Sequence, residues 1–143
     1  MLRVCVRVRP ATDVRARAYI AADLAAVLAF TVVGLAYHGV PLSAGGLLRT
    51  ALPLGGAWFA LAPTCGTYRR PGWRSLLVTW AVAVPAGVLL RQWWLGRPLG
   101  RATLVFLLTA WLLTLVFLAV GRLVAGRLIA VRAAARPHDA GGG

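Results

Sequence analysis

Ala102–Leu123 reads ATLVFLLTAWLLTLVFLAVGRL, and its only charged side chain, Arg122, comes next to last. At 1.5 Å per residue this run is about 33 Å long as a helix, enough to cross the ~30 Å hydrocarbon layer of a bilayer. Nothing in it alternates with period two, and no Gly or Pro interrupts it before Gly121. It is read as a membrane-spanning helix, and three other apolar blocks repeat the pattern near Ala18–Tyr37, Leu47–Thr67 and Ser75–Leu90. The third is the shortest and contains Pro85, so a kink is expected there.

The rest of the composition agrees. Of 143 residues 60% are hydrophobic and 13% charged, with a mean hydropathy of +0.78, too apolar for the surface of a small soluble domain. The segments between blocks are short and rich in turn residues: His38–Gly46, Gly66–Arg74 and Arg91–Arg101. Such loops make sequential helices antiparallel neighbours. The expected fold is an all-α membrane protein, a bundle of four transmembrane helices within residues 18–130. A basic arm over 1–17 precedes it and a disordered tail over 131–143 follows, with Pro137 and Gly141–Gly143 marking the tail.

All sixteen basic residues are arginine, the acids are Asp13, Asp23 and Asp139, and the net charge is +13. Long uncharged blocks separate the arginines, which argues against one basic stripe for nucleic acid. They sort by topology instead. The arm (Arg3, Arg7, Arg9, Arg15, Arg17), the second loop (Arg69, Arg70, Arg74) and the tail (Arg122, Arg127, Arg132, Arg136) place twelve on one side. Arg49, Arg91, Arg97 and Arg101 place four on the other. Positive charge is retained on the cytoplasmic side, so both termini are expected inside, in the cytoplasmic membrane. The first span is expected to remain uncleaved, because its apolar stretch is long and three more follow. The arm is expected to lie against anionic lipid.

Few residues are available for chemistry. Phosphate-loop, zinc-protease and serine-elbow motifs are absent. Cys5 and Cys65 have neither metal-ligand spacing nor the numbers for a disulfide framework, so no metal, cofactor or catalytic residue is assigned and no enzyme is expected. Asp23 stands out as a carboxylate inside the first span, about 7 Å from its cytoplasmic end. Arg122 lies at similar depth on the fourth span and is the partner that topology permits, with Arg74 second. Alternatively, Asp23 reaches the interface near the helix start, where the dipole favours a negative charge. At the opposite end His38, Arg49 and Arg91 terminate three spans. They either meet as an anion site or snorkel to the interface beside Trp93 and Trp94. Trp58, Trp80 and Trp111 fall within spans, where each indole N–H needs a partner, in a packed core or in a ligand-lined cavity.

Small residues four apart, at Ala21–Ala25–Ala29, Ala22–Ala26, Gly56–Ala60 and Gly121–Ala125, suit close helix contact within the bundle or in a homo-oligomer. A shift of 53 positions superposes Gly34 on Gly87, Thr50 on Thr103 and Trp58 on Trp111, a faint sign of duplicated hairpins whose halves would be parallel.

In order along the chain, AADLAAVLAF with Asp23, VGLAYHG with Gly34 and His38, LLRTALPLGGAW with Arg49, Pro53 and Trp58, VPAGVLLR with Pro85, Gly87 and Arg91, and a last span with Phe106 and Thr109 resemble the membrane proteins of the domain of unknown function 3054. Where that family often has arginine in a GRxxHG pattern, this chain has Leu35. The resemblance, over approximately Ala18–Val124, implies a four-helix fold and a membrane location and brings no activity with it. The residues lead to a small transport-related or ion-handling protein in the lipid bilayer, acting as an oligomer. The alternative is an accessory or assembly subunit bound to membrane partner subunits.

Overall fold

The computed structural model describes residues 10–135, with side chains from Val14 onward. Four helices follow one another: α1 (Pro10–Tyr37), α2 (Ala44–Thr64), α3 (Trp73–Trp94) and α4 (Arg101–Ala134). Proline is favoured at a first helical position because its missing N–H has no intrahelical partner there, which suits Pro10 to open α1. At α2 the Ser43 hydroxyl caps the helix by accepting from the Gly46 amide at 3.1 Å. Helices α1, α2 and α3 all stop in the same way. Gly39, Gly66 and Gly96 take φ of 62°, 71° and 60°, a region that glycine enters without steric cost. The amides of Val40, Thr67 and Arg97 then reach back to the carbonyls of Leu35, Ala62 and Gln92, satisfying acceptors that each helix end exposes.

α2 starts three residues before its expected span and ends three before its expected end, and α3 runs from Trp73 to Trp94, taking Arg91–Trp94 of the expected loop into the helix. The longest extensions are at the two ends of the bundle. α1 begins eight residues before Ala18, and α4 runs on to Ala134, so residues 131–134 of the expected tail are helical. The rest of the tail, residues 136–143, and residues 1–9 of the arm, with Cys5, lie outside the described residues.

The helices form a four-membered ring in which α1 touches α2 and α4, and α3 touches α2 and α4, while the diagonal pairs stay apart. The tighter contacts are α2 with α3 and α1 with α4. Two glycines explain the close crossings. A Cβ on Gly87 would lie 2.8 Å from the Leu54 Cα and 3.2 Å from the Pro53 carbonyl oxygen. A Cβ on Gly121 would lie 3.2 Å from the Ala22 carbonyl oxygen. Exchanging the two hairpins leaves this arrangement of neighbours unchanged, as a 53-residue repeat requires, yet Gly34, the counterpart of Gly87, has open space around it.

Inside the ring lie two apolar layers. Ala26, Trp58, Ala62, Leu76, Ala83 and Leu118 form one, and Val27, Phe30, Leu54, Val84, Val88 and Ala110 the other. Trp80 and Phe117 bridge them, and Trp80 stacks on Trp111 with ring centroids 4.3 Å apart. Outside, α4 exposes Leu104, Leu108, Leu112, Val116, Val120 and Leu128, the reverse of a soluble helix and the arrangement that lipid stabilises. Among the described residues three helices are long and apolar enough to cross a membrane: α1 over Val14–Tyr37, α3 and α4. α2 matches them in length, but Gly45, Gly46, Gly55, Gly56, Pro53, Pro63 and Arg49 dilute its apolar content.

Candidate functional site

Asp23 is a charged side chain with no exposed surface. It projects from α1 towards α4, where Arg122 meets it with two parallel bonds: Nε donates to Oδ1 at 3.0 Å and Nη2 to Oδ2 at 2.8 Å. This fork-to-fork geometry is the strong form of the arginine–carboxylate interaction. Because α1 starts at Pro10, Asp23 sits about 20 Å along the helix from its first residue. A favourable dipole at the helix start therefore does not account for it, and neither does Arg74, which is exposed.

Trp58 on α2 completes the pair. Its Nε1–H donates to Asp23 Oδ2 and to the Tyr68 hydroxyl, both at 3.2 Å. Burial, and then the negative charge of Asp23, push the Tyr68 hydroxyl above the ordinary tyrosine range, so it stays protonated and neutral. On the far side the Arg122 guanidinium lies over the Tyr19 ring, 5.3 Å from its centroid. The carboxylate thus holds three helices together at the arginine-rich end. In the Trp58→Phe variant, which loses the donor and leaves a small cavity in place of the second ring at a buried site, unfolding free energy is expected to fall by about 2–4 kcal/mol. Denaturant titration of the purified protein in detergent measures this.

The opposite end does not assemble in the same way. His38 and Arg49 are exposed, and the His38 ring packs edge-on against Tyr37. Arg91 turns to α4 and lies over Phe106, 5.1 Å from the ring centroid, with Nε buried and unpaired. No hydrogen bond or ion pair joins the three among the described residues. Next to Arg91, Gln92 reaches Thr103 on α4 through a 3.4 Å bond.

Each tryptophan within the expected spans has a distinct environment. Trp80 donates to the Trp111 carbonyl at 2.8 Å, and Trp111 keeps a buried Nε1–H with no partner. Position 76, the repeat counterpart of Asp23, is a buried leucine, so the second hairpin carries the tryptophan without the acceptor. Cys65 is a free, half-buried thiol. No group of three or more His, Cys, Asp or Glu side chains gathers among the described residues.

Tyr68 and Tyr19 are the site residues that sequence reasoning missed. The usable signal for Tyr68 was the unmet need of Trp58 for an acceptor close to the second turn.

A family model described as a protein of unknown function, DUF3054, matches residues 20–125. The chain belongs to that family. The DUF3054 match contains Asp23, Trp58, Tyr68 and Arg122, and also His38, Arg49 and Arg91. No curated protein and no solved structure matches the chain.

Proposed function

We propose that this DUF3054 protein is a four-span protein of the cytoplasmic membrane, with both ends inside. It handles a small ion or anionic solute at its arginine-rich inner end, as a transport-related protein working as an oligomer and not as an enzyme. The observation carrying this reading is the Asp23–Arg122 pair, a carboxylate without exposed surface held within helices of membrane-crossing length. Ionisable groups at such depth are costly, and their use in ion or substrate handling is the default expectation. The length of α2 and its place between α1 and α3 support a fourth span. The division of arginines, twelve against four, supports the orientation.

A second reading, an accessory subunit of a larger membrane complex, is favoured by the narrow space towards the Arg91 end. There the cavity between Thr50, Leu54, Gly87, Arg91 and Phe106 is about 10 Å³, room for one water at most. A solute path would have to run between chains or open the α1–α4 contact.

Mild extraction followed by native mass measurement, then flux in proteoliposomes, tests the proposal. A homo-oligomer is expected, with flux that falls to background in Asp23→Asn. Absence of flux, together with wild-type behaviour of Asp23→Asn in cells, would overturn it. Stoichiometric foreign subunits would establish the accessory reading instead.

A further inference from the structure

Above the Asp23–Arg122 pair, at the arginine-rich end, an open pocket of about 350 Å³ lies between α1, α4 and the start of α3. Arg122 and Arg127 line it from α4, Tyr19 from α1, and Gly72 and Trp73 from the start of α3. We propose that this pocket binds the phosphodiester head group of an anionic phospholipid.

Two independent features supply the donors. Arg122 is 8% exposed, and Asp23 occupies its Nε and Nη2. Its Nη1 makes no hydrogen bond within the described residues, although the residue lines the pocket. The second donor group is the start of α3, whose N-cap Gly72 offers no side chain. The first amide bonded there is that of Leu76, to the Gly72 carbonyl, which leaves the N–H groups of Trp73, Arg74 and Ser75 free at the positive end of a 22-residue helix. Arginine donors and helix N-termini both suit phosphate oxygens.

Charge and shape narrow the ligand. Asp23 neutralises Arg122, so the net attraction comes from Arg127 and the helix terminus, which fits a single negative charge better than a dianion. Tyr19 and Trp73 are amphipathic rings of the kind that settle at the head-group level. From the pocket, Leu123, Val120 and Val116 run along one exposed face of α4 towards the apolar midsection, a track for acyl chains. A water-soluble phosphate has no use for that track.

The site does not depend on solute flux, so the two readings fail separately: flux lost in Asp23→Asn bears on the first, and lipid retention in pocket variants on the second. Full-length protein in detergent is titrated with dioleoyl phosphatidylglycerol and, separately, dioleoyl phosphatidylcholine, and read by native mass spectrometry. Retention of one phosphatidylglycerol per chain is expected, with weak retention of phosphatidylcholine. Loss of a charge-assisted bond in Arg127→Gln is expected to weaken phosphatidylglycerol about tenfold. Gly126→Leu fills the pocket and is expected to abolish retention. A Cβ at Gly126 meets nothing closer than the Tyr19 hydroxyl at 3.9 Å, so the added side chain starts in open space, and unchanged helicity and elution volume check that the fold is kept. Wild-type retention in both variants, or equal retention of the two lipids, would overturn the assignment. So would displacement of phosphatidylglycerol by millimolar inorganic phosphate, which would place the ligand in solution.

Discussion

Replacing Arg122 with alanine is expected to cost the folded bundle about 3–5 kcal/mol, the cost of leaving a buried charge without its partner. Asp23 has no exposed surface and takes two of its bonds from Arg122. Without the guanidinium, the single Trp58 donor cannot compensate a carboxylate, which must either take up a proton or open a path for water between α1 and α4. Steric denaturation in mixed detergent micelles, followed by tryptophan fluorescence, measures the loss. The double variant Asp23→Leu with Arg122→Met separates charge from packing. Both charges are gone and similar volume remains, so most of the lost stability is expected to return. If the double variant is as unstable as Arg122→Ala, the pair contributes by its shape and not by compensating charge. Recovered stability without recovered flux would leave the pair a functional role beyond holding α1 to α4.

The second large effect is expected at Gly87. A Cβ there would approach the Leu54 Cα to 2.8 Å, and a backbone atom cannot swing away as the end of a side chain can. Gly87→Ala is therefore expected to force α2 and α3 apart and to destabilise the bundle by about 1–3 kcal/mol, as overpacking of close contacts does. The matching change at Gly34, where no atom lies within 4 Å, is expected to be neutral or to stabilise α1 by up to about 1 kcal/mol through helix propensity. Measured side by side in the same unfolding assay, equal effects at the two sites would mean that the α2–α3 crossing is looser than its packing indicates.

The contrast between these glycines shows where sequence reading stopped. Their match under the 53-residue shift is a faint signal in the sequence, whereas the order of four helices joined by short turns is plain there. Which crossing is tight depends on the rotation of each helix about its axis, which pattern alone leaves open when a helix is apolar nearly all round. The same cause separates the two polar ends. Asp23 and Arg122 were legible as partners, because an isolated intramembrane carboxylate needs a cation at its own depth and the order of spans offers few. His38, Arg49 and Arg91 also share a depth, but nothing obliges three cations or near-cations to converge, and an aromatic ring was available to Arg91 on α4.

Composition, hydropathy and turn residues by themselves determined an all-helical chain with apolar runs of membrane-crossing length, the positions of its turns, and the one acid that needed a partner. These follow from the local cost of placing a charge or a broken backbone hydrogen bond in hydrocarbon, and that cost is readable residue by residue. Only the tertiary structure decided that Trp58 and Tyr68 close around Asp23 and that an open pocket reaches Arg122. It also decided that Leu76 fills the place where the second hairpin has no acid. Those features depend on side chains from three or four helices meeting at one level, and the helix rotations that bring them there are set by packing of the whole ring.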